Sequence, residues 1–115
     1  MNINIDTFND WAVKGKDIDM QKGHVNAVGQ MLDLIDNKTK VFKRPFKFLD
    51  IGCGNGWVVK KMGQLDTCTK AIGIDKSKNM ISKAKKTKIS AKEKYYITDL
   101  ESTRFSTKFD VIFSM

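Results

Sequence analysis

Three glycines at alternate positions, directly behind an acid, make Asp50-Ile51-Gly52-Cys53-Gly54-Asn55-Gly56-Trp57 the segment of this chain best suited to chemistry. Glycines let a backbone turn tightly and approach a ligand without Cβ obstruction. An apolar run, Phe46–Ile51 (FKFLDI), precedes the loop, and a helical pattern begins at Trp57. The free N–H groups of such a helix start point into the crevice at the strand's end. In an open α/β sheet, ligands bind there, outside the carboxyl ends of the strands. A dinucleotide loop wants G-x-G-x-x-G/A, with a small third residue where helix and strand pack closely. Counting from Gly52 that position is Trp57, and from Gly54 it is Val59, so both registers fail. The G-x-G-x-G spacing suits a ligand without phosphate, with Asp50 placed to accept a hydrogen bond from a ligand ammonium group. A purely structural turn would use the same glycines, so the acid and the strand context carry the functional reading.

Two further acids follow at the ends of later apolar runs. Asp75 closes Gly73-Ile74-Asp75, 19 residues beyond Gly56, near the spacing at which an acid reaches an adenosine ribose. A carboxylate there accepts from both ribose hydroxyls at once. The competing role for Asp75 is to cap the next helix, but Ser77 is better placed for that. Asp99 follows Ile97-Thr98 and is placed to receive the exocyclic amine of adenine. An Asp after a strand is often only turn chemistry; its case strengthens as the third acid at successive strand ends.

The elements that must position these residues are short. After Pro45, strands are expected at Phe46–Ile51, Lys70–Asp75, Lys94–Thr98 and Phe109–Ser114, with helices over Trp57–Leu65 and residues 77–88. Strand–helix alternation implies βαβ units, a parallel sheet and right-handed crossovers. The last strand is apolar enough to be buried on both faces. With no helix after it, that strand would be an uncovered edge, and such edges template aggregation. The chain therefore has the look of a truncated one, with Phe109, Val111, Ile112 and Phe113 expected to expose apolar surface. Before Pro45, Phe8, Trp11 and Ala12 open a short amphipathic segment, and Lys14–Asp19 is polar and expected as loop. Val25, Val28, Leu32 and Ile35 share one helical arc. Asn37–Arg44 is a charged connector. His24, at the border of that arc, fits a half-buried helix histidine better than a substrate-facing base.

Bulk properties exclude several classes. At 115 residues there is room for one domain. No apolar run approaches the roughly 20 residues of a membrane helix, and the acidic N-terminus lacks a signal-peptide core. Cys53 and Cys68 lack metal or redox-motif spacing, and nothing requires a metal. A reduced, cytoplasmic protein is the default expectation. The net charge of +8 is concentrated in residues 76–94, which carry eight Lys against Glu93 alone. Lys78, Lys83, Lys85 and Lys86 lie opposite the arc of Met80, Ile81, Ala84 and Thr87, as on a solvated helix face. Of 21 basic residues only Arg44 and Arg104 are Arg, whereas base readout and phosphate forks favour Arg. Nucleic acid is thus the less favoured partner.

Four segments, in order, resemble the class I S-adenosylmethionine-dependent methyltransferases. FLDIGCGNGW resembles their glycine-loop motif and AIGIDKSKNMISKAK the motif ending in a ribose-binding acid. ITDLESTRF is similar to the adenine-binding segment, and FDVIFSM to the fourth strand. The resemblance implies a Rossmann-like, doubly wound, mostly parallel sheet of seven strands, of which this chain supplies the first four. It divides the chain into an N-terminal helical cap (residues 1–44) and a cofactor-binding domain (residues 45–115). It implies that Asp50, Gly52, Cys53, Gly54, Asp75, Lys76, Asp99, Leu100 and Ser114 surround S-adenosyl-L-methionine or its product S-adenosyl-L-homocysteine. FNDWAVKGKDIDMQKGH resembles the lid of small-molecule members, which would put Trp11 in the lid and pair Lys16 with the methionine carboxylate. The implied function is methyl transfer to a small-molecule acceptor. A module that binds the cofactor without chemistry and a nucleic-acid methyltransferase remain alternatives, and a nicotinamide-dependent reductase is disfavoured by the glycine spacing. The departure from the family is at the end, where the elements that shape the substrate pocket are missing.

Overall fold

A computed structural model describes residues 16–115. The elements are helix α1 (Lys16–Thr39), a 3-10 turn (Val41–Lys43), β1 (Phe46–Ile51), α2 (Trp57–Gly63), β2 (Cys68–Asp75), α3 (Lys78–Lys86), β3 (Glu93–Ile97) and β4 (Val111–Ser114). The strands form one sheet in the order β3-β2-β1-β4, and every pairing is parallel. The order reverses between β1 and β4, which opens a crevice at their carboxyl ends. The expected Rossmann-like half-sheet is therefore present, with each expected strand within two residues of its place.

Alternation along the strands creates two unequal faces. On one face Phe46, Phe48, Ala71, Tyr95, Val111 and Phe113 join Val28 and Leu32 of α1, Val58, Val59 and Met62 of α2, and Ile81 and Ala84 of α3 in one buried cluster. On the other face Leu49, Ile72 and Ile74 are covered by Phe105 and Phe109 from the β3–β4 connection. Each fully buried aliphatic or aromatic side chain contributes roughly 1.5–3 kcal/mol, so the helix-covered face dominates the core. Ser77 caps α3, its side chain accepting from the Met80 N–H. Met80, Ile81 and Ala84 are buried as their arc requires, while Thr87 is exposed.

Three expectations need correction. Residues from Lys16 onward belong to α1 rather than to a loop. Extending a formed helix adds one hydrogen bond per residue, so the polar residues join it. The connector after Asn37 is also more ordered than its charge suggests. The helix runs to Thr39, Lys40 turns with φ of 59°, and Val41 is buried in the 3-10 turn. Finally, β4 is not buried on both faces, nor does it expose all its apolar residues. Val111 and Phe113 are buried against the helix layer, while Ile112, pointing the other way, is 62% exposed. Within α1, Val28 and Leu32 are buried and Ile35 packs against them, but Val25 faces solvent.

Candidate functional site

The glycine loop leaves β1 in an extended turn that only glycine tolerates comfortably. Gly52, Gly54 and Gly56 have φ of 76°, 57° and 81°, in the left-handed region where a Cβ is costly. They divide into two kinds. A Cβ on Gly52 or Gly54 would meet nothing within 4 Å, so these two face open space. A Cβ on Gly56 would lie 2.7 Å from the Tyr95 ring, so that glycine serves packing. Gly73 also permits a close approach, since a Cβ there would lie 2.7 Å from Cys53 Sγ.

Asp50 lies beneath this loop, paired in register with Gly73 on one side and Phe113 on the other. It is only 3% exposed. Burial, and secondarily the Asp75 carboxylate, push its pKa up to about 7. A buried carboxylate is held partly protonated when, as among the described residues here, no countercharge is paired with it; a ligand cation at this point would supply one. Burial also pushes the Cys53 thiol up, with Asp50 and Asp75 adding to it, so Cys53 is a poor nucleophile here.

Asp75, at the end of β2, joins the loop to the next helix. One carboxylate oxygen accepts from the Gly54 N–H at 2.9 Å and the other from the Ser77 N–H at 2.8 Å. A carboxylate offers about four acceptor positions, so capacity for ligand hydroxyls remains. Its expected neighbour, Lys76, is exposed and reaches Asp99 at 3.5 Å across the ends of β2 and β3. Asp99 also accepts from the Ser102 N–H at 2.7 Å; that bond first, and Lys76 after it, hold its carboxyl below the ordinary range. Leu100 is 56% exposed beside it. Ser114, at the end of β4, pairs with Ile51 at the crevice. The structure thus brings Asp50, Gly52, Cys53, Gly54 and Asp75 together, with Asp99, Lys76 and Leu100 along the same sheet edge. Lys16 is the first residue of α1, and Trp11 lies outside the described residues.

Several contributors were not apparent in the sequence. The Asn55 side chain donates to Gln21 at 3.0 Å, tying α1 to the loop, and accepts from the Trp57 N–H at 3.1 Å. Lys60 is buried and donates to the Asn55 carbonyl at 2.7 Å. Burial lowers the Lys60 pKa, and Glu93 and Cys53 oppose that shift. Tyr95 and Glu93 complete the group, also buried. Their spacing of two on β3 signalled a shared face, but nothing local signalled that Lys60 would turn inward beside them. Among the described residues no His, Cys, Asp and Glu cluster is arranged to hold a metal. No helix among them is long and apolar enough to cross a membrane.

A family profile described as a methyltransferase domain matches residues 48–115, more than half the chain. The chain belongs to this methyltransferase family. Methyltransferase 235L of Invertebrate iridescent virus 6 is 32% identical over 83 residues, which cover 72% of this chain and 28% of the viral protein. A solved chain from the Haloferax volcanii complex of the Trm112 methyltransferase activator with a methyltransferase superposes with a TM-score of 0.75. It is 18% identical and covers 93% of this chain and 46% of its own. Magnesium protoporphyrin IX methyltransferase from Synechocystis, solved with bound S-adenosylmethionine, superposes with a TM-score of 0.63 at 19% identity, covering 84% of this chain and 46% of that one. The chain therefore spans less than half the length of these relatives. The methyl donor of the family is S-adenosylmethionine, and the crevice fits it. Two glycines open a backbone path into it, and Asp50, a buried acid with a raised pKa, waits at its floor.

Proposed function

We propose that the crevice binds S-adenosyl-L-methionine and that the domain, as part of a methyltransferase, serves methyl transfer to a small-molecule acceptor. The observation that carries this reading is the conjunction of Asp50, buried with its pKa raised, and the open glycines Gly52 and Gly54 above it. On this reading Asp50 takes the ligand ammonium, and the remaining acceptor positions of Asp75 take the ribose hydroxyls. Asp99 and Leu100 border the adenine, with Cys53, Lys76 and Ser114 around it. Trp11 and Lys16 belong to a lid formed by residues 1–44, and the Gln21–Asn55 contact joins that segment to the loop. The domain boundary near Pro45 follows the same reading.

The cofactor supplies an electrophilic methyl group on a sulfonium. The protein's own share is orientation and the exclusion of water. Among the described residues none is assigned as a general base, which a hydroxyl acceptor would need and a poised thiol or amine would not. The likeness to magnesium protoporphyrin IX methyltransferase supports a small acceptor, and the scarcity of Arg argues against nucleic acid.

Calorimetry with S-adenosylhomocysteine and with NAD tests the ligand. Binding of the first and not the second is expected, and preferential binding of NAD would sink the assignment. Asp75→Ala should lower cofactor affinity at least tenfold, since each charge-assisted bond contributes about 1.5–3 kcal/mol. An unchanged dissociation constant would reduce Asp75 to a turn residue. Steeply salt-dependent binding of a polyanion would redirect the acceptor towards nucleic acid.

A further inference from the structure

Beneath the glycine loop lies a buried polar group that the proposed ligand contacts do not use. Glu93 is 0% exposed and Tyr95 4%. The Tyr95 hydroxyl donates to Glu93 Oε1 at 2.5 Å, while Glu93 Oε2 accepts from the Ile89 and Ser90 N–H groups at 2.9 and 2.6 Å. With its one proton committed to Glu93, the phenol oxygen serves as acceptor for Lys60 Nζ at 3.5 Å. The same Nζ lies 5.2 Å from the Tyr95 ring centroid and donates to the Asn55 carbonyl at 2.7 Å. The ring is also the surface against which Gly56 rests, too close for any Cβ. The Asn55–Gly56 peptide is therefore held from below by an ammonium and an aromatic ring, the ring being anchored through its hydroxyl on the Glu93 carboxylate and the ammonium resting on that same hydroxyl.

A buried ammonium and carboxylate are a poor way to gain stability, because well-packed apolar residues of similar volume are often neutral or better. What such a group adds is a fixed geometry. We propose that Lys60, Tyr95 and Glu93 are positioning residues that hold the glycine loop in its ligand-ready shape, so that affinity for the cofactor is set in part from behind the loop. The proposal rests on the cofactor reading above, but the grip on the loop is measurable without any ligand.

Lys60→Met removes the donor to Asn55 while keeping the length of the side chain, Lys60→Arg keeps donors in place, and Met62→Leu is a core control on the same helix. Amide hydrogen exchange at Gly54 and Gly56 is followed by NMR on the full chain without ligand, beside the dissociation constant for S-adenosylhomocysteine and the melting temperature. Lys60→Met is expected to speed exchange at both glycines and weaken binding, each by about tenfold, beyond any change in Met62→Leu matched for melting temperature. Lys60→Arg, which keeps donors but with a bulkier planar group, should fall between Lys60→Met and the wild type in both. Effects no larger than those of Met62→Leu would overturn the proposal. If Lys60→Met does not fold, Tyr95→Phe decides instead: it keeps the ring and removes the hydroxyl, and unchanged exchange would be equally fatal. Failure of the wild type to bind S-adenosylhomocysteine would overturn the cofactor reading, while the exchange data would still decide whether the relay holds the loop.

Discussion

Behind β1, the glycine loop is held from below by Lys60 and Tyr95 and from the side by Asp75, all buried or half-buried. Behind β3, the segment 98–104 is held mainly by its own short-range bonds. Ser102 donates to Asp99, Thr103 to Thr98 at 2.8 Å, and Arg104 to the Glu101 carbonyl at 3.3 Å. The Lys76–Asp99 pair that ties this segment to β2 is solvent-exposed on the lysine side, where ion pairs contribute little. One wall of the crevice is thus built into the core and the other rests on its surface. The difference predicts that changes in the first wall alter folding and pH response together, whereas changes in the second alter only binding.

The largest effect should come from Gly56→Ala. The left-handed backbone costs roughly 1–2 kcal/mol for a residue with Cβ, and the overlap with the Tyr95 ring adds about 1–3 kcal/mol. Against a typical domain stability of about 5–15 kcal/mol, thermal unfolding should show a large loss. Gly54→Ala shares the backbone cost but meets no neighbour, so it should melt clearly above Gly56→Ala, by the part due to the Tyr95 overlap, and show its further loss in ligand affinity. Equal melting of the two variants would break the distinction between packing and ligand-facing glycines.

Next comes the pH response of Asp50. Its folded pKa, about 7, stands above the ordinary value of 3.8. Between these values the folded protein keeps a proton that the unfolded chain has lost. Its contribution to stability is therefore fully present below about pH 4 and declines as pH rises to about 7, by about 4 kcal/mol at the outside. Asp50→Asn should flatten that decline in denaturant titrations across this window. A ligand ammonium would favour the carboxylate, so binding should release a proton below about pH 7 and weaken as pH falls. Calorimetry in buffers of different ionisation enthalpy reads the proton directly; none released would remove Asp50 from the ligand.

The smallest effect is expected at Asp99→Ala. One contact on the exposed wall contributes about 0.5–1.5 kcal/mol, so affinity for S-adenosylhomocysteine should fall about two- to tenfold with the melting temperature unchanged. A fall in melting temperature comparable to that of Gly56→Ala would show that the second wall is as deeply built as the first.

The sheet faces repeat the same contrast. The helix-covered face was legible because helical arcs and strand alternation repeat within a few residues, as in Val28 and Leu32 or Phe46 and Phe48. The other face was not. Its cover, Phe105 and Phe109, comes from an irregular connection without period, and exposed Ile112 is as apolar as buried Val111 and Phe113.

Local pattern by itself determined the strand order of events along the chain, the place of the glycine loop, the three acids at strand ends and the Ser77 cap. Each of these depends on neighbours a few residues apart, where spacing and side-chain type carry the physics. Tertiary structure alone decided which glycine faces the crevice and which faces Tyr95. It also decided that Asp50 would be stripped of water, and that Lys60 would point inward to meet Tyr95, 35 positions away. Desolvation and long-range pairing depend on what the rest of the chain packs around a group, and no local period encodes that.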